Sequence, residues 1–284
     1  MMRIALVVLC AAAASCGGEK QSTVPPAPQD AGSSVMLRRH KFEIAQLFKD
    51  PERRYPANPG VLCSWDRDRY LHFFSSDSPH FFDIAFLDAT GRVVEIAKLA
   101  ASSEVGLTSR TEVRHALFLT AGALEKDGLT VGESVKLSTL TKAEPMPVVK
   151  VAGHAVHVET AHRSAQRQRG LMHRPRMSKD DGMLFLYYSP GERSFYMLNT
   201  LIPLDISYFD GEGNLLNVAR MKPAANPAEG DVLRAPSLGD ARYVLEVNYG
   251  WFDERKLIDA DGKPVKPVKL ELPESLLRLA DQAD

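Results

Sequence analysis

One strand–turn–strand pattern occurs twice in this chain, and this repeat constrains the fold more than any other feature. Its two copies are FDIAFLDATGRVVEIAKL at residues 82–99 and LDISYFDGEGNLLNVARM at residues 204–221. Five of the eighteen aligned positions are identical, including an Asp and a Gly in the turn. An Asp at the first position of a turn and a Gly at the fourth are typical of a type I hairpin turn. The pattern therefore predicts two β-hairpins of one design.

The similarity continues on both sides of the hairpins and keeps the same order. Residues 114–122 (RHALFLTAG) match residues 242–250 (RYVLEVNYG), and residues 60–62 match residues 182–184. Small insertions separate the matching segments, but their order does not change. We therefore infer a tandem duplication, in which one module was copied and the two copies then diverged.

The repeat divides the chain into two modules, residues 36–146 and residues 147–284, with prolines in EPMP at the junction. Their many short strands predict a mainly β fold with minor α content: two tandem β-rich modules of the jelly-roll, sandwich or barrel kind. A short helix is expected from near Thr160 to about Met172, and another in the tail after Pro273. The length of 284 residues allows each module its own core.

The amino terminus has the pattern of a targeting segment. Arg3 precedes an apolar run at residues 4–14, which is shorter than the roughly 20 residues that span a bilayer. The Ala-Ala-Ser-Cys that follows resembles the lipobox of bacterial lipoproteins, which predicts a signal peptide over residues 1–16 and a lipid on Cys16. Residues 17–35 are rich in Gly, Ser, Pro and Gln, so we expect a disordered tether.

Two localisations follow from the two interpretations of this segment. Lipidation of Cys16 predicts a protein anchored in the bacterial cell envelope, at the periplasmic face or the cell surface. An ordinary signal peptide cut near Ser15 would give a secreted or periplasmic protein instead. Either way, Cys63 is the thiol left in the modules. Its apolar neighbours predict a buried structural cysteine.

Composition and motifs exclude several classes of function. The 35 basic and 36 acidic residues nearly cancel and form no basic stripe, so nucleic acid is not an expected partner. We find no paired-cysteine zinc pattern, no HExxH, no nucleophile elbow and no phosphate-binding glycine loop. No catalytic residue and no cofactor are therefore predicted. The enzyme question stays open, with a non-enzymatic role favoured.

Five ordered blocks in the second module resemble the signature of the domain-of-unknown-function-192 (DUF192) family. They are RGLM at 169–172, DGMLF at 181–185, FYMLNT at 195–200, IPLD at 202–205 and LEVNYG at 245–250. The resemblance implies a compact, β-rich, jelly-roll-like fold and no known activity, and such proteins are often secreted or located in the envelope. Tyr196 and Leu198 stand where the family usually has Trp and Lys. The first module keeps the hairpin and lacks the signature blocks, so we interpret it as a degenerate copy.

The polar residues of these blocks define a candidate surface for an unknown small ligand or an envelope protein. Asp205 has two possible roles: a structural one, accepting backbone N–H groups or pairing with Arg169, or a place in a pocket wall. Asp83 is retained in the first module, which favours the structural role. The candidate surface comprises Arg169, Met172, Met197, Asn199, Thr200 and Asp205.

Methionines suggest an alternative function, binding of a soft metal such as copper. Thioether sulfur is a soft ligand that suits Cu(I), whereas methionine is also a common filler of hydrophobic cores. Core packing is the favoured interpretation, and we assign no metal site. The soft-metal candidates are Met172, Met183, Met197 and His173.

Overall fold

The computed structural model describes residues 34–36, 41–45, 59–75, 80–135, 145–224 and 234–284. Contacts between residues divide the chain into two compact units, with the boundary between Pro145 and Met146. We call these unit 1 and unit 2. Residues 1–33, with the predicted signal peptide, Cys16 and nearly all of the tether, lie outside the described residues. No helix in the described part of the chain is long and apolar enough to cross a membrane.

Unit 1 contains these described elements: β1 (Ser34–Met36), β2 (Lys41–Ala45), β3 (Pro59–Arg69), β4 (His72–Phe73), β5 (Phe82–Leu87), β6 (Val93–Leu99), β7 (Leu107–Thr108), β8 (Val113–Thr120) and α1 (Ala123–Asp127). Its main sheet has the strand order β1-β2-β3-β8-β5-β6. The β2–β3 pair is parallel and the other pairs of this sheet are antiparallel. Strands β4 and β7 form a separate antiparallel pair.

Unit 2 contains these described elements: β9 (Val148–Val151), β10 (His154–Ala161), α2 (Ser164–Arg169), β11 (Asp181–Gly191), β12 (Ser194–Tyr196), β13 (Leu204–Phe209), β14 (Leu215–Met221), β15 (Arg234–Pro236), β16 (Ala241–Asn248), α3 (Trp251–Glu254), β17 (Leu270–Glu271) and α4 (Glu274–Ala280). Its main sheet has the order β14-β13-β16-β11-β10-β9-β17, and β12 pairs with β15.

The two main sheets have the same connectivity. The order β6-β5-β8-β3-β2-β1 in unit 1 corresponds strand by strand to β14-β13-β16-β11-β10-β9 in unit 2. The parallel pair also recurs, as β2–β3 and β10–β11. Even the register is kept, because Asp83 lies opposite Leu119 and Asp205 lies opposite Val247. The mainly β fold and the tandem repeat predicted from the sequence are confirmed.

Both predicted hairpin turns form with the expected chemistry. Gly91 and Gly213 each have φ 85°, in the left-handed region that glycine enters without strain. In the first turn the Oδ1 atom of Asp88 accepts the backbone N–H groups of Thr90 and Arg92. The carboxylate of Asp210 makes the same two bonds in the second turn, to the residues two and four positions later. Each aspartate therefore holds its own turn closed.

The helix expected near Thr160 begins later than predicted. Strand β10 continues through Ala161, since residues 157–161 pair in parallel with β11, and α2 starts only at Ser164. The ladder of sheet hydrogen bonds outweighs the local capping preference of Thr160. The tail helix predicted after Pro273 is α4.

The unit 2 sheet separates two hydrophobic clusters. Leu245 and Val247 of β16 point into one cluster, which also contains Trp251 and Phe252 of α3. Val244 belongs to the other cluster, together with Phe185 and Tyr208. Side chains along a strand alternate between faces, so each residue's position decides which cluster it meets. The candidate site lies on the face of the second cluster.

Candidate functional site

A cleft of about 200 Å³ lies on this face of unit 2. Its walls come from α2 and the residues just after it, from β11, from the β12 region and from β16. Typical pockets for drug-sized ligands measure roughly 300 to 1,000 Å³, so this cleft suits a small ligand.

Glu246 is a buried acidic group in the wall of the cleft. It lies in the middle of β16, opposite Met183 on one neighbouring strand and Ile206 on the other, and it is 5% exposed. Its Oε2 atom makes no hydrogen bond among the described residues. Burial raises the pKa of the Glu246 carboxyl to about 8, although the nearby charge of Arg174 acts to lower it. At neutral pH this group is therefore mostly a neutral carboxylic acid, which is able to donate a hydrogen bond.

Arginines line the cleft or lie near Glu246, and neighbouring groups hold two of them in place. Arg167 lines the cleft, donates to the carbonyl oxygen of His162 at 2.6 Å and lies 4.8 Å from the ring centre of Tyr187. Arg174 makes two bonds to the carboxylate of Glu159, at 2.7 and 2.6 Å. Arg169 is a further cleft residue. Neighbouring groups thus fix Arg167 and Arg174 in place, and the charge of Arg174 is balanced by the Glu159 carboxylate.

Aromatic rings form another part of the wall. Phe195 packs edge to face against Phe185, with ring centres 4.8 Å apart, and against Tyr208 at 5.9 Å. Such edge-to-face contacts fix the rings and strengthen the packing. The hydroxyl of Tyr208 donates to the carbonyl oxygen of Ala235, which ties the sheet to β15. Phe195 and Tyr196 are half-buried and line the cleft, so they offer apolar surface to a ligand.

A backbone hydrogen bond brings two of the signature blocks together. His173 (φ 62°) and Asn199 (φ 53°) both have left-handed backbone conformations, which Asn and His adopt more often than most other non-glycine residues. The backbone N–H of His173 donates to the carbonyl oxygen of Asn199 at 2.8 Å. This bond places the segment after α2 beside the segment after β12.

The structure brings together three of the six predicted surface residues. Arg169, Met172 and Thr200 line the cleft. Met197 is 2% exposed and packs in the hydrophobic cluster beneath it. The backbone carbonyl of Asn199 accepts the hydrogen bond from the N–H of His173.

Asp205, the sixth residue, lies on the opposite face of the sheet from the cleft. Its Oδ2 atom accepts the backbone N–H of Phe252 in α3 at 3.2 Å. The Oδ2 atom of Asp83 accepts the N–H of Leu124 in α1 at 3.1 Å, in the equivalent place of unit 1. Burial raises the pKa of Asp205, against the effect of its backbone hydrogen bonds. Asp205 therefore joins a strand to a helix, as Asp83 does in unit 1, and it does not line the cleft.

The soft-metal candidates are divided between the core and the cleft. Met183 and Met197 pack in the hydrophobic cluster, whereas Met172 lines the cleft and His173 follows it. Within the described residues, no group of three or more His, Cys, Asp or Glu side chains is placed to hold a metal ion.

Glu246 and the wall residues Phe195, Tyr196 and Tyr187 were missing from the predicted surface. The signal for Glu246 was present in the sequence, as a single carboxylate between Leu245 and Val247 in an apolar strand. The matching residue in unit 1 is Phe118, whose ring packs edge to face on Phe73 with centres 4.7 Å apart. Comparison of the two copies therefore marks Glu246 as the polar exception at this position.

Comparison with known proteins gives a family match and several partial structural matches, of which two are described. The model of the DUF192 family, described as an uncharacterized ACR, matches residues 49–137 and 147–262. A crystal structure of a protein of unknown function from Novosphingobium aromaticivorans DSM 12444 is 32% identical, with 44% of this chain and 83% of that one covered and a TM-score of 0.35. A crystal structure described as a "putative transcription regulator" from Sinorhizobium meliloti 1021 is 26% identical, with 44% and 92% covered and a TM-score of 0.37. Among curated proteins, no match is found.

Proposed function

The chain belongs to the DUF192 family, and from this premise we propose that it is a lipid-anchored envelope protein whose unit 2 binds a small ligand in its cleft without catalysing a reaction. The matched regions fall in both units, so each unit is a copy of the family's module.

The observation that supports a binding role is the buried carboxyl group of Glu246. A polar group that is taken out of water without a hydrogen-bond partner costs about 1 to 3 kcal/mol. The Oε2 atom of Glu246 bears such a cost in the described structure, at the wall of a cleft large enough for a small molecule. A ligand that accepts a hydrogen bond from this group would offset that cost. Ligand binding would therefore account for this buried acid, which hydrophobic packing does not explain.

For unit 1 we propose a scaffold or partner-binding role. Phe118 stands at the position of Glu246 and packs on Phe73, and both rings are almost fully buried. Phe118 therefore presents no polar group to a ligand at this position. We therefore place the ligand site in unit 2 alone.

A ligand screen tests the proposal. The full-length protein is mixed with small sugars, amino acids, organic acids and short peptides, and its melting temperature is measured. A bound ligand stabilises the folded state and raises the melting temperature of unit 2. We expect a smaller rise for Glu246→Leu and an unchanged rise for Glu192→Leu, which alters an exposed carboxylate. A complete absence of shifts, or equal shifts in wild type and Glu246→Leu, would refute a binding site at this cleft.

Catalysis is the second candidate function, and one observation favours it. A carboxyl group with a raised pKa in a cleft has the property required of a general acid near neutral pH. However, Glu246 is the only acidic side chain among the described lining residues, and no second acidic group or histidine accompanies it there. We therefore prefer binding. Turnover of a ligand found in the screen, lost in Glu246→Gln, would establish the enzyme instead.

The envelope anchor has its own test. Cys16→Ser removes the sulfur that would carry the lipid, so the protein should move from the membrane fraction to the soluble fraction after cell lysis. Cys63→Ser serves as the control, because Cys63 is fully buried in unit 1 and no role in anchoring is proposed for it. Retention of Cys16→Ser in the membrane fraction would contradict lipid anchoring at this residue.

A further inference from the structure

We propose that the ligand of the unit 2 cleft is a small carboxylate, whose oxygen atoms bind Arg169 and the carboxyl group of Glu246. This inference rests on the proposed function, since it specifies what the cleft binds.

The charge of the cleft favours an anion. Arg167 and Arg169 contribute positive charge to its wall, and Glu246 is the only acid among the described residues that line it. The charge of Arg167 is partly balanced by the Asp284 carboxylate at 3.4 Å, so the attraction rests mainly on Arg169. The segment that forms this wall also carries Arg163 and Arg176, whereas its Arg174 is paired with Glu159. Long-range attraction and the local donors therefore both act on a negatively charged molecule.

The protonation state of Glu246 makes it a partner for an anion. Its carboxyl group is mostly protonated at neutral pH, so it can donate an O–H bond to a carboxylate oxygen. Bonds of this charge-assisted kind are short and strong. A bound anion also disfavours ionisation of Glu246, and binding should therefore raise its pKa further.

The other titratable groups near Glu246 do not change this conclusion. Arg174 follows α2, Tyr187 belongs to β11 and Tyr208 belongs to β13, and each interacts electrostatically with Glu246. Burial raises the pKa of both tyrosines, so they stay neutral across the range in which Glu246 titrates. The other titratable residues that line the cleft are Arg167, Arg169 and Tyr196. Glu246 is thus the group of this set that changes charge near pH 8.

The shape of the wall favours a carboxylate attached to a flat apolar group. A planar guanidinium matches the two oxygens of a carboxylate, and a single neutral acid adds one further donor. A phosphate dianion carries two negative charges, which is more than one arginine and one neutral carboxyl group can balance. The half-buried rings of Phe195 and Tyr196 supply an apolar surface for the remainder of a small ligand.

Four fragments that share one ring test the ligand class on the full-length protein. Benzoate, benzamide, benzylamine and phenyl phosphate differ in the group they present to Glu246 and Arg169. Isothermal titration at pH 6.5 should show benzoate binding at least ten times more tightly than each of the others. At pH 9.5, where Glu246 is ionised, benzoate should bind about ten times more weakly. Titrations at pH 8.5 in two buffers of different ionisation enthalpy should show proton uptake.

Variants separate the roles of the two residues. Glu246→Gln keeps a hydrogen-bond donor and cannot ionise, so benzoate should still bind and its affinity should no longer depend on pH. Arg169→Gln should weaken benzoate at least ten-fold and leave benzamide unchanged. Arg176→Gln, which alters an exposed arginine of the same segment, should have little effect. Circular dichroism and the melting temperature confirm that each variant is folded.

The outcomes distinguish this inference from the proposed function. Tighter binding of benzylamine, benzamide or phenyl phosphate than of benzoate would overturn the carboxylate while the cleft remained a binding site. Release of a proton when benzoate binds would also overturn the carboxylate proposal. So would a pH dependence of benzoate affinity that is the same in Glu246→Gln as in the wild type. Failure of all four fragments would overturn the ligand class, and only a failure of the wider ligand screen as well would remove the binding function.

Discussion

At the scale of single residues, one substitution separates the two copies of the fold. Glu246 and Phe118 occupy the same place in the same strand of equivalent sheets. The phenylalanine completes a core with Phe73, whereas the glutamate leaves an acidic group buried beside a cleft. Because burying a carboxyl group costs more than burying a phenyl ring, unit 2 gives up stability at this position. Such a sacrifice is typical of functional sites.

The raised pKa of Glu246 predicts how stability depends on pH. The folded protein holds this proton up to about pH 8, whereas the unfolded chain releases it near the ordinary value of 4.5. Between these values the folded state binds more protons, so the free energy of unfolding falls as pH rises, by up to about 1.4 kcal/mol per pH unit. Below the lower value the effect of Glu246 is constant.

Urea denaturation of Glu246→Gln at pH 5, 6.5 and 8 measures this effect. The variant should lose most of the slope and should be more stable than the wild type at pH 8. Asp205 contributes a slope of the same sign in both proteins, and the difference between them isolates Glu246. Glu192→Gln is the control for removing an exposed charge. Parallel curves for wild type and Glu246→Gln would show that Glu246 titrates normally.

At the scale of elements, each unit uses the same joint between a strand and a helix. A buried aspartate on β5 or β13 accepts a backbone N–H from the short helix that follows β8 or β16. The residue before each helix is a glycine with left-handed backbone, Gly122 (φ 81°) or Gly250 (φ 83°). These helices are too short to be stable alone, so the joint to the sheet fixes them. The joint explains why Asp83 persists in a copy that lost the signature.

Removing the acceptor of this joint should destabilise the unit that contains it. Asp205→Ala leaves the N–H of Phe252 buried without its partner, and the expected loss is about 1 to 3 kcal/mol for unit 2. Asp83→Ala should have a similar effect on unit 1. Asp205→Asn keeps an oxygen acceptor and should cost less than Asp205→Ala. Chemical denaturation measures all three, and an Asp205→Ala variant as stable as the wild type would show that the joint is dispensable.

Two glycines with nearly equal φ angles differ in the space around them. A Cβ atom at Gly213 (φ 85°) would lie 2.6 Å from the carbonyl oxygen of Leu270, whereas one at Gly250 (φ 83°) meets nothing within 4 Å. Gly250→Ala should therefore cost only the left-handed strain, about 1 to 2 kcal/mol. Gly213→Ala should cost more, because Leu270 also donates its N–H to Gly213 and cannot move away freely. Equal losses in denaturation experiments would show that the turn relaxes.

At the scale of the whole molecule, the chain carries two copies of one fold with separate cores. The described core clusters of unit 2 contain no residue of unit 1, and the cluster formed by Leu62, Leu87 and Leu117 with their neighbours lies wholly in unit 1. Duplication therefore provided two self-contained sheets. The two copies now differ at this wall position, with Glu246 in unit 2 and Phe118 in unit 1.

A fragment of residues 146–284 should accordingly fold by itself. It contains the complete main sheet of unit 2 and the cleft, and its length is within the range of ordinary domains. We expect a cooperative thermal transition by circular dichroism, with a melting temperature within a few degrees of unit 2 in the full chain. A fragment that lacks β17 and α4 should be less stable, since Leu270 and Leu276 belong to its core. An unfolded 146–284 fragment would show that unit 2 needs unit 1.

The strands, the turns and the duplication of this protein could be predicted from the order of its amino acids. Alternating and apolar runs, the Asp and Gly of each hairpin turn and the order of matching segments are properties of neighbouring residues, so they can be read along the chain. The family signature in unit 2 was readable for the same reason. The lipid anchor at Cys16 stays a prediction, because it lies outside the described residues.

Which residues share the cleft depends on long-range packing and could be read only from the folded chain. Arg169 at the end of α2 and Glu246 in β16 are far apart in sequence, and both line the cleft. Asp205 falls on the other face, where it binds α3. A shift of one residue in register moves a side chain to the opposite face, and register depends on long-range pairing. Local patterns do not contain that information, so the predicted surface included Asp205 and missed Glu246.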